Sequence, residues 1–352
     1  MSMERTYILE QGAYLRKAGN HLVVTKNREI IAEIPLEGLS QLTLVGFSSL
    51  SGAVLEVLIR HRIETVLLSP RGQFRARLMV DEHKHVQRRQ GQYVKLSGAD
   101  FALRTTQSIV RGKLRNTARF LALRGSRYGS EALHRAAAQI KGLSALVDRQ
   151  KDMDLLRGIE GHAANLYFEV FPLLVRVPGF EFNGRNRRPP LDPLNALLSF
   201  VYTLLTQEVL TAIKVVGLDP YLGCLHAVDY GRPSLACDLV EEWRTFLGDR
   251  LVLALVNRRV IGLDDFVYRP TPCADAVDEE ELKHRRPVEM KPKIARAFIE
   301  AYEKWMASRI LDPGSRERTD YRGLIQRQVW KFCHYLVGDR DSYEPFIWSE
   351  VS

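Results

Sequence analysis

The sequence of 352 residues is poor in cysteine, and its few cysteines are badly spaced for a metal or disulfide site. Cys224, Cys237, Cys273 and Cys333 are scattered, and none forms the CxxC pair of a zinc knuckle. Disulfide frameworks belong mainly to short secreted chains. We therefore expect small, buried thiols in a reducing compartment.

Long apolar runs are also lacking. No run approaches the roughly 20 apolar residues that cross a bilayer. Residues 1–14 show neither the basic segment, nor the apolar segment, nor the cleavage site of a signal peptide. The sequence thus predicts a cytoplasmic protein with no membrane partner. A P-loop, a GxSxG elbow and a GxGxxG fingerprint are absent as well.

What is present is an ordinary globular composition, with 45% hydrophobic and 26% charged residues. This composition argues against a disordered or fibrous protein. Because single cores stop growing at about 250–300 residues, the length favours two domains. The 51 Lys and Arg residues exceed the 42 Asp and Glu residues, which gives a net charge of +9 and makes a polyanionic partner plausible.

Strand patterns and turn residues fill the first 82 positions. The predicted elements are a hairpin loop at 18–20, strands at 29–34, 42–45, 65–68 and 73–79, a helix at 52–60 and a turn at 69–72. Ser51 is the expected cap of the helix. The region is therefore predicted to be small and mostly β.

From about residue 83, apolar residues recur at helical spacing. The predicted helices cover residues 101–123, 152–174, 194–216, 234–257, 292–310 and 316–337, and Ser234 is the expected cap of the fourth. Residues 269–292 lack periodicity, which predicts a mobile loop. The expected fold class is α+β, with a small N-terminal mostly-β domain at 1–82, a linker or helix at 83–97, and a larger all-α catalytic domain at 98–352.

Positive charge is concentrated between residues 81 and 130. This segment holds eleven Lys and Arg against three Asp and Glu, which is +8 of the net +9. Arg104, Arg111, Arg115 and Arg119 are spaced by 7, 4 and 4 residues. On a helix they form one stripe about 80° wide. Such a stripe can follow a phosphate backbone, but a solvated helix face has the same pattern.

An acidic residue, Glu160, stands in an apolar and glycine-rich helix. Gly158 and Gly161 each cost about 1 kcal/mol relative to alanine in a helix. Their presence therefore indicates close approach of another backbone or a ligand. Apolar neighbours place Glu160 at least partly inside the protein, where a carboxylate needs a donor, an arginine or a metal.

A histidine precedes a second group of acidic residues. His226 is followed by Asp238, Glu241 and Glu242, and positions 238 and 241 share one helix face because they are three residues apart. Alone, His226 is typical of a core histidine, and Asp238 of a carboxylate that complements a helix N-terminus. Together, one imidazole and several carboxylates are typical ligands of Mg²⁺ or Mn²⁺.

Taken together, these segments resemble a known family, the integrases of CRISPR adaptation, which are the CRISPR-associated proteins numbered one. The blocks that carry the resemblance are 34–36 (IPL), 45–46 (VG), 68–74 (LSPRGQF), 158–161 (GIEG), 195–202 (NALLSFVY), 217–223 (GLDPYLG) with His226, and 231–236 (GRPSLA) with Asp238, Glu241 and Glu242. They cover almost the whole chain in order.

The resemblance implies a metal-dependent DNA endonuclease and integrase of antiviral defence, in which a DNA 3′-hydroxyl attacks a phosphodiester at the edge of a CRISPR repeat. It implies Mg²⁺ or Mn²⁺ held by Glu160, His226 and a third acidic residue. For that residue we expect Glu241, with Asp238 lining the site or supporting a ligand, and the sequence leaves the choice open. It also implies homodimerisation through the β domain, and a heterohexamer in which two integrase dimers flank a dimer of the small ferredoxin-like CRISPR-associated protein numbered two and hold double-stranded DNA.

The resemblance also turns several residues into candidates for DNA contact. They are Arg104, Arg111, Arg115, Arg119, Arg232, Asn195 and Tyr202. Two have clear structural alternatives, since Arg232 can pack at a helix N-terminus and Tyr202 can be a buried tyrosine with a satisfied hydroxyl. Two other functions stay open: a catalytically silent DNA-binding scaffold, and a general metal nuclease acting on branched DNA or RNA.

Overall fold

The computed structural model describes residues 4–70, 74–78, 85–186, 189–269, 287–312 and 315–348. Its contacts form two compact units, Met1–Glu82 together with Glu289–Ile299, and His83–Val288 together with Glu300–Ser352. Four predicted features lie outside the described residues, wholly or in part: Cys273, the turn at 69–72, the strand at 73–79 and the loop at 269–292.

The described strands between residues 4 and 78 form two four-stranded sheets. The order in one sheet is β1 (Glu4–Ile8), β5 (Leu39–Val45), β7 (Glu64–Leu68) and β8 (Phe74–Leu78), and in the other it is β4 (Glu29–Pro35), β3 (His21–Lys26), β2 (Ala13–Ala18) and β6 (Ser48–Leu50). The predicted hairpin is confirmed, because Ala18 pairs with His21 across a two-residue turn. In that turn Gly19 has a φ of +56°, which glycine adopts readily.

The apolar face of helix α1 (Gly52–Arg60) is buried in the core of this unit, together with Leu15 from one sheet and Leu42 from the other. Ser51 caps the helix as predicted, because its Oγ accepts a hydrogen bond from the Val54 amide at 3.3 Å. A serine cap contributes about 1 kcal/mol. The prediction of a strand-rich N-terminal region is therefore confirmed.

From Val86 onward the described chain is mostly helical, as the spacing of apolar residues predicts. Its helices are α2 (Val86–Ser97), α3 (Ala99–Tyr128), α4 (Glu131–Val147), α5 (Met153–Val170), α6 (Pro193–Val215), α7 (Ser234–Leu239), α8 (Glu241–Trp243), α9 (Arg250–Asn257), α10 (Pro292–Met306) and α11 (Tyr321–Val337). The prediction missed α4. It also missed four short strands, β9 (Phe266–Tyr268), β10 (Val288–Met290), β11 (Arg309–Leu311) and β12 (Arg318–Asp320).

The helix predicted at 234–257 is interrupted. It is divided into α7, α8, a π-helical segment at Arg244–Asp249, and α9. Ser234 is not its cap, because the Ser234 Oγ donates to the carbonyl of Ala227 at 3.0 Å. The division places the acidic residues of this segment on two short helices that meet at Val240.

Helix α6 is a core helix of the second unit. The helix is long and apolar enough to cross a membrane. The prediction that the chain contains no segment of that length and composition is therefore wrong. However, 72% of the apolar window is buried inside the protein. Leu194, Leu198 and Val201 are fully buried. Such burial is typical of a helix at the centre of a globular unit.

Candidate metal centre

Three elements of the helical unit bring together the residues predicted to hold a metal. Glu160 lies on α5, His226 in the loop before α7, and Glu241 at the start of α8. Glu241 is buried, with only 3% of its surface exposed. Its Oε1 lies 3.9 Å from His226 Nε2 and 2.7 Å from the guanidinium of Arg244, three residues later.

Asp238 holds the loop that carries His226. Its buried carboxylate accepts hydrogen bonds from the backbone amides of Cys224, Leu225 and His226, at 2.6, 3.1 and 2.9 Å. It also lies 2.7 Å from His226 Nδ1. An Nδ1–H donated to a carboxylate leaves a free lone pair on Nε2, and Nε2 is the nitrogen nearer to Glu241. Asp238 therefore orients the imidazole, and both of its oxygens are engaged.

Gly223 permits this loop to approach α7 closely. A Cβ atom at position 223 would lie 2.4 Å from Oδ2 of Asp238 and 2.7 Å from a backbone carbon of Ser234, so no side chain fits there. By contrast, Cβ atoms at Gly158 and Gly161 would meet nothing within 4 Å. The predicted approach of another backbone at those two glycines is therefore wrong.

A lysine absent from the predicted site joins two of the carboxylates. Lys113 on α3 contacts Glu160, and its Nζ lies 2.7 Å from Glu241 Oε2. Position 113 is four residues from both Ile109 and Thr117, which are buried. It therefore falls on the core-facing side of α3. A charged residue on that side is the signal from which the sequence could have predicted a buried ionic site.

Positive charge around Glu241 keeps it ionised. Burial acts to raise the pKa of Glu241, but the charges of Arg244 and Lys113 outweigh it and lower the pKa to about 2. Burial acts to lower the pKa of Lys113, but the charges of Glu241 and Glu160 outweigh it and raise the pKa. Glu241, Lys113 and Arg244 are therefore all charged at neutral pH.

The predicted ligands lie near one another, but their side chains do not form a complete coordination site. Among the described residues, no three His, Cys, Asp or Glu side chains are placed to share one ion. One atom nevertheless has the properties of a ligand for a cation. Oε2 of Glu241 is buried, and it already faces a cation, because Lys113 Nζ forms an ion pair with it at 2.7 Å. A buried oxygen in that condition suits a cation.

The four arginines of the predicted stripe lie in different environments on α3. Arg104 and Arg115 are exposed. Arg111 forms an ion pair with Asp148. Arg119 stacks on a tryptophan ring, at 5.7 Å from the guanidinium carbon to the ring centre. Two of the four are therefore exposed, and the other two have partners within the chain.

The other three candidates for DNA contact also differ in exposure. Arg232 is exposed just before α7. Asn195 is fully buried at the start of α6, where its amide oxygen accepts a hydrogen bond from Arg185 at 2.7 Å. Tyr202 donates its hydroxyl to Asp249 at 2.6 Å. The polar atoms of Asn195 and Tyr202 are thus used inside the protein, which favours a structural role for both.

Sequence comparison places the chain among named relatives. The family model "CRISPR associated protein Cas1" matches residues 6–304. The CRISPR-associated endonuclease Cas1 3 of Thermus thermophilus is 37% identical over 342 residues, which are 97% of this chain and 96% of that protein. The CRISPR-associated endonuclease Cas1 1 of Chlorobaculum tepidum is 33% identical over 348 residues, which are 97% of each chain.

Solved structures share the fold. A Cas1 protein from Thermotoga maritima has a TM-score of 0.78 at 23% identity, covering 99% of this chain and 100% of that one. A casposase bound to integration product has a TM-score of 0.83 at 20% identity, covering 100% of this chain and 96% of that one. A longer chain in a Cas6-RT-Cas1–Cas2 complex has a TM-score of 0.81 at 21% identity; the match covers 99% of this chain but spans only 36% of that one. Because the family model and the relatives match over most of its length, the chain belongs to the Cas1 family of CRISPR-associated proteins.

Proposed function

We propose that this protein is a metal-dependent DNA endonuclease and integrase that inserts spacer DNA into a CRISPR array. One observation carries the proposal: Glu241 lies 3.9 Å from His226 and is joined to Glu160 through one shared ammonium, in a chain of this family. In the proposed reaction a DNA 3′-hydroxyl attacks a phosphodiester at the edge of a repeat. One P–O bond forms as another breaks, so the number of phosphodiesters is unchanged.

The donor set fits Mg²⁺ or Mn²⁺. Glu160 and Glu241 supply carboxylate oxygens and His226 supplies one imidazole nitrogen, while the buried Oε2 of Glu241 already faces one cation, the Lys113 ammonium. Asp238 is the weaker candidate for third ligand, because four nitrogen atoms already engage its oxygens. Bound there, such an ion polarises a phosphoryl oxygen and stabilises the charge that develops on it.

The protein's own groups hold these ligands in place. Arg244 pairs with Glu241 at 2.7 Å and stacks on the Tyr202 ring at 5.2 Å, which restrains the carboxylate. Asp238 fixes the ring of His226 so that Nε2 is available.

The proposal includes DNA and protein partners. The exposed arginines Arg104, Arg115 and Arg232 are our candidates for phosphate contact, which positions DNA without reading its sequence. Two structural neighbours support such partners: one is a casposase bound to integration product, and the other belongs to a Cas6-RT-Cas1–Cas2 complex. We further propose homodimerisation through the N-terminal β domain, assembly with Cas2 into a heterohexamer, and action in the cytoplasm.

The function is tested by an integration assay with this protein, its small partner, a short duplex with free 3′ ends and a supercoiled plasmid. We expect joined products with Mn²⁺ and none when a chelator is present. Glu160→Ala and His226→Ala are expected to lower product formation by at least about 10³-fold. Fluorescence anisotropy should show that both variants bind the duplex within about threefold of the unmodified protein.

Three other results would each point to a different function. Normal integration by both variants would remove Glu160 and His226 from the chemistry. Binding of DNA with no reaction under any divalent metal would favour the silent scaffold. Cleavage of branched DNA or RNA without joined products would favour the general metal nuclease.

The exposed arginines of α3 are expected to contribute most to the salt dependence of DNA binding. Arg115→Ala should flatten the slope of log affinity against log salt by about one unit. The reason is that Arg115 is exposed and has no ion pair with a described residue. Arg111→Ala should flatten it by less, since Asp148 already pairs with Arg111. If Arg115→Ala leaves the slope unchanged across a salt titration, Arg115 is not part of the DNA surface.

A further inference from the structure

Lys113 occupies the space between two of the three residues that we propose as metal ligands. From α3 its ammonium contacts the Glu160 carboxylate and lies 2.7 Å from Glu241 Oε2. An ion that bridged these two oxygens, Oε1 of Glu160 and Oε2 of Glu241, would take the place that the ammonium occupies. An ammonium and a divalent cation cannot both contact them, because two positive charges would then be forced into one small, shielded space.

The second cation of the cluster is held differently. Arg244 pairs with the other oxygen of Glu241 at 2.7 Å and stacks on the ring of Tyr202 at 5.2 Å. Lys113 carries a compact charge on a flexible four-carbon stem, so its ammonium can leave the carboxylates by rotation of the side chain alone. The cluster therefore combines a cation held by a second contact, Arg244, with a cation on a flexible stem, Lys113.

The charges explain what the movable cation does. Without Lys113, the metal-free protein would hold Glu160 and the buried Glu241 near one another with Arg244 as the remaining cation of the cluster. Repulsion between carboxylates in a shielded site destabilises the fold. We propose that Lys113 is a built-in counter-ion: it neutralises these carboxylates in the metal-free protein, leaves them when a divalent cation enters, and so lowers the affinity for that cation. This inference rests on the metal site proposed above.

The test measures Mn²⁺ binding and thermal unfolding in the full chain without DNA. Free Mn²⁺ is followed by its electron paramagnetic resonance signal. Lys113→Met is expected to bind Mn²⁺ at least about tenfold more tightly than the unmodified protein, because no ammonium has to be displaced. Its Tm in chelator should be lower than that of the unmodified protein, and saturating Mn²⁺ should remove the difference.

Two further variants separate charge from packing. Lys113→Arg keeps the charge and should bind Mn²⁺ no more tightly than the unmodified protein. Lys141→Met makes the same substitution at an exposed position of α4 and should leave affinity and Tm unchanged. Lys113→Met could be too unstable to measure in chelator. In that case, refolding of the variant when Mn²⁺ is added still reports the predicted stabilisation by the metal. A variant that does not refold with Mn²⁺ contradicts the proposal.

The outcomes distinguish this inference from the function on which it rests. If Glu160→Gln and Glu241→Gln abolish Mn²⁺ binding but Lys113→Met binds no more tightly than the unmodified protein, the counter-ion role is overturned and the metal site stands. If Mn²⁺ binding survives both glutamine variants, or is absent in every protein including Lys113→Met, the proposed metal site fails and the counter-ion role fails with it.

Discussion

Glu241→Gln is expected to abolish strand transfer, with a rate of product formation at least about 10³-fold lower. The amide keeps the shape of the side chain but removes the charge that Arg244 and Lys113 face at 2.7 Å. Its nitrogen cannot bind a cation, and its one oxygen cannot serve Arg244 and the metal together. The rate is measured with Mn²⁺ at saturating DNA, so that weaker DNA binding does not contribute.

The next residue supplies the matched control. Glu242 belongs to the same short helix, but its oxygens accept hydrogen bonds from the Tyr343 hydroxyl at 2.5 Å and the Phe346 amide at 2.7 Å. Glu242→Gln should therefore retain activity within about threefold at pH 7. Equal losses in the two variants would mean that α8 itself is disturbed. Full activity of Glu241→Gln would remove Glu241 from the set of ligands.

Much of the fold was predictable because it follows from local chemistry. The turn at Gly19 and the cap at Ser51 depend on residues within a few positions of one another, and both predictions are confirmed. Helices α3 and α6 follow from apolar residues repeated over many turns, so their existence was predictable although their ends were not.

The arrangement of the site was less predictable because it depends on contacts between distant segments. Spacing groups Asp238 with Glu241 on one face, but it does not show that backbone amides from Cys224 to His226 engage Asp238. A regular periodic pattern also hides the break between α7 and α8. Lys113 lies on a helix far along the chain from both carboxylates that it contacts, and only tertiary structure brings the three together.

Stability is expected to fall as the pH rises through the neutral range, and Glu242 is the residue that we expect to cause it. Burial raises the pKa of Glu242 from its ordinary value of 4.5 to about 8, although hydrogen bonds from Tyr343 and Phe346 act in the opposite direction. The folded protein therefore keeps a proton on Glu242 where the unfolded chain has released it. An acid with a raised pKa contributes stability that is fully present below the unfolded value and is lost as the pH rises through the folded value.

Glu242→Gln removes this titration while keeping a neutral side chain of the same size. Between about pH 6.5 and 8, ionisation of Glu242 should lower the unfolding free energy of the unmodified protein by roughly 2 kcal/mol. The Glu242→Gln variant should lack this contribution, so its unfolding free energy should fall less over the same pH range. Urea unfolding at several pH values measures the difference. Asp249, whose pKa burial raises to about 6, acts with the same sign, but it titrates mainly below this range and is common to both proteins.

Tyr343→Phe separates the titration of Glu242 from the loss of its hydrogen bond. This variant removes the Tyr343 donor and leaves the buried carboxyl to titrate, so its stability should still fall with rising pH. Loss of the pH dependence in Glu242→Gln, together with its persistence in Tyr343→Phe, would assign the effect to the proton on Glu242. The same pH dependence in Glu242→Gln and the unmodified protein would mean that Glu242 is already ionised at pH 6.5, because the donors from Tyr343 and Phe346 outweigh its burial.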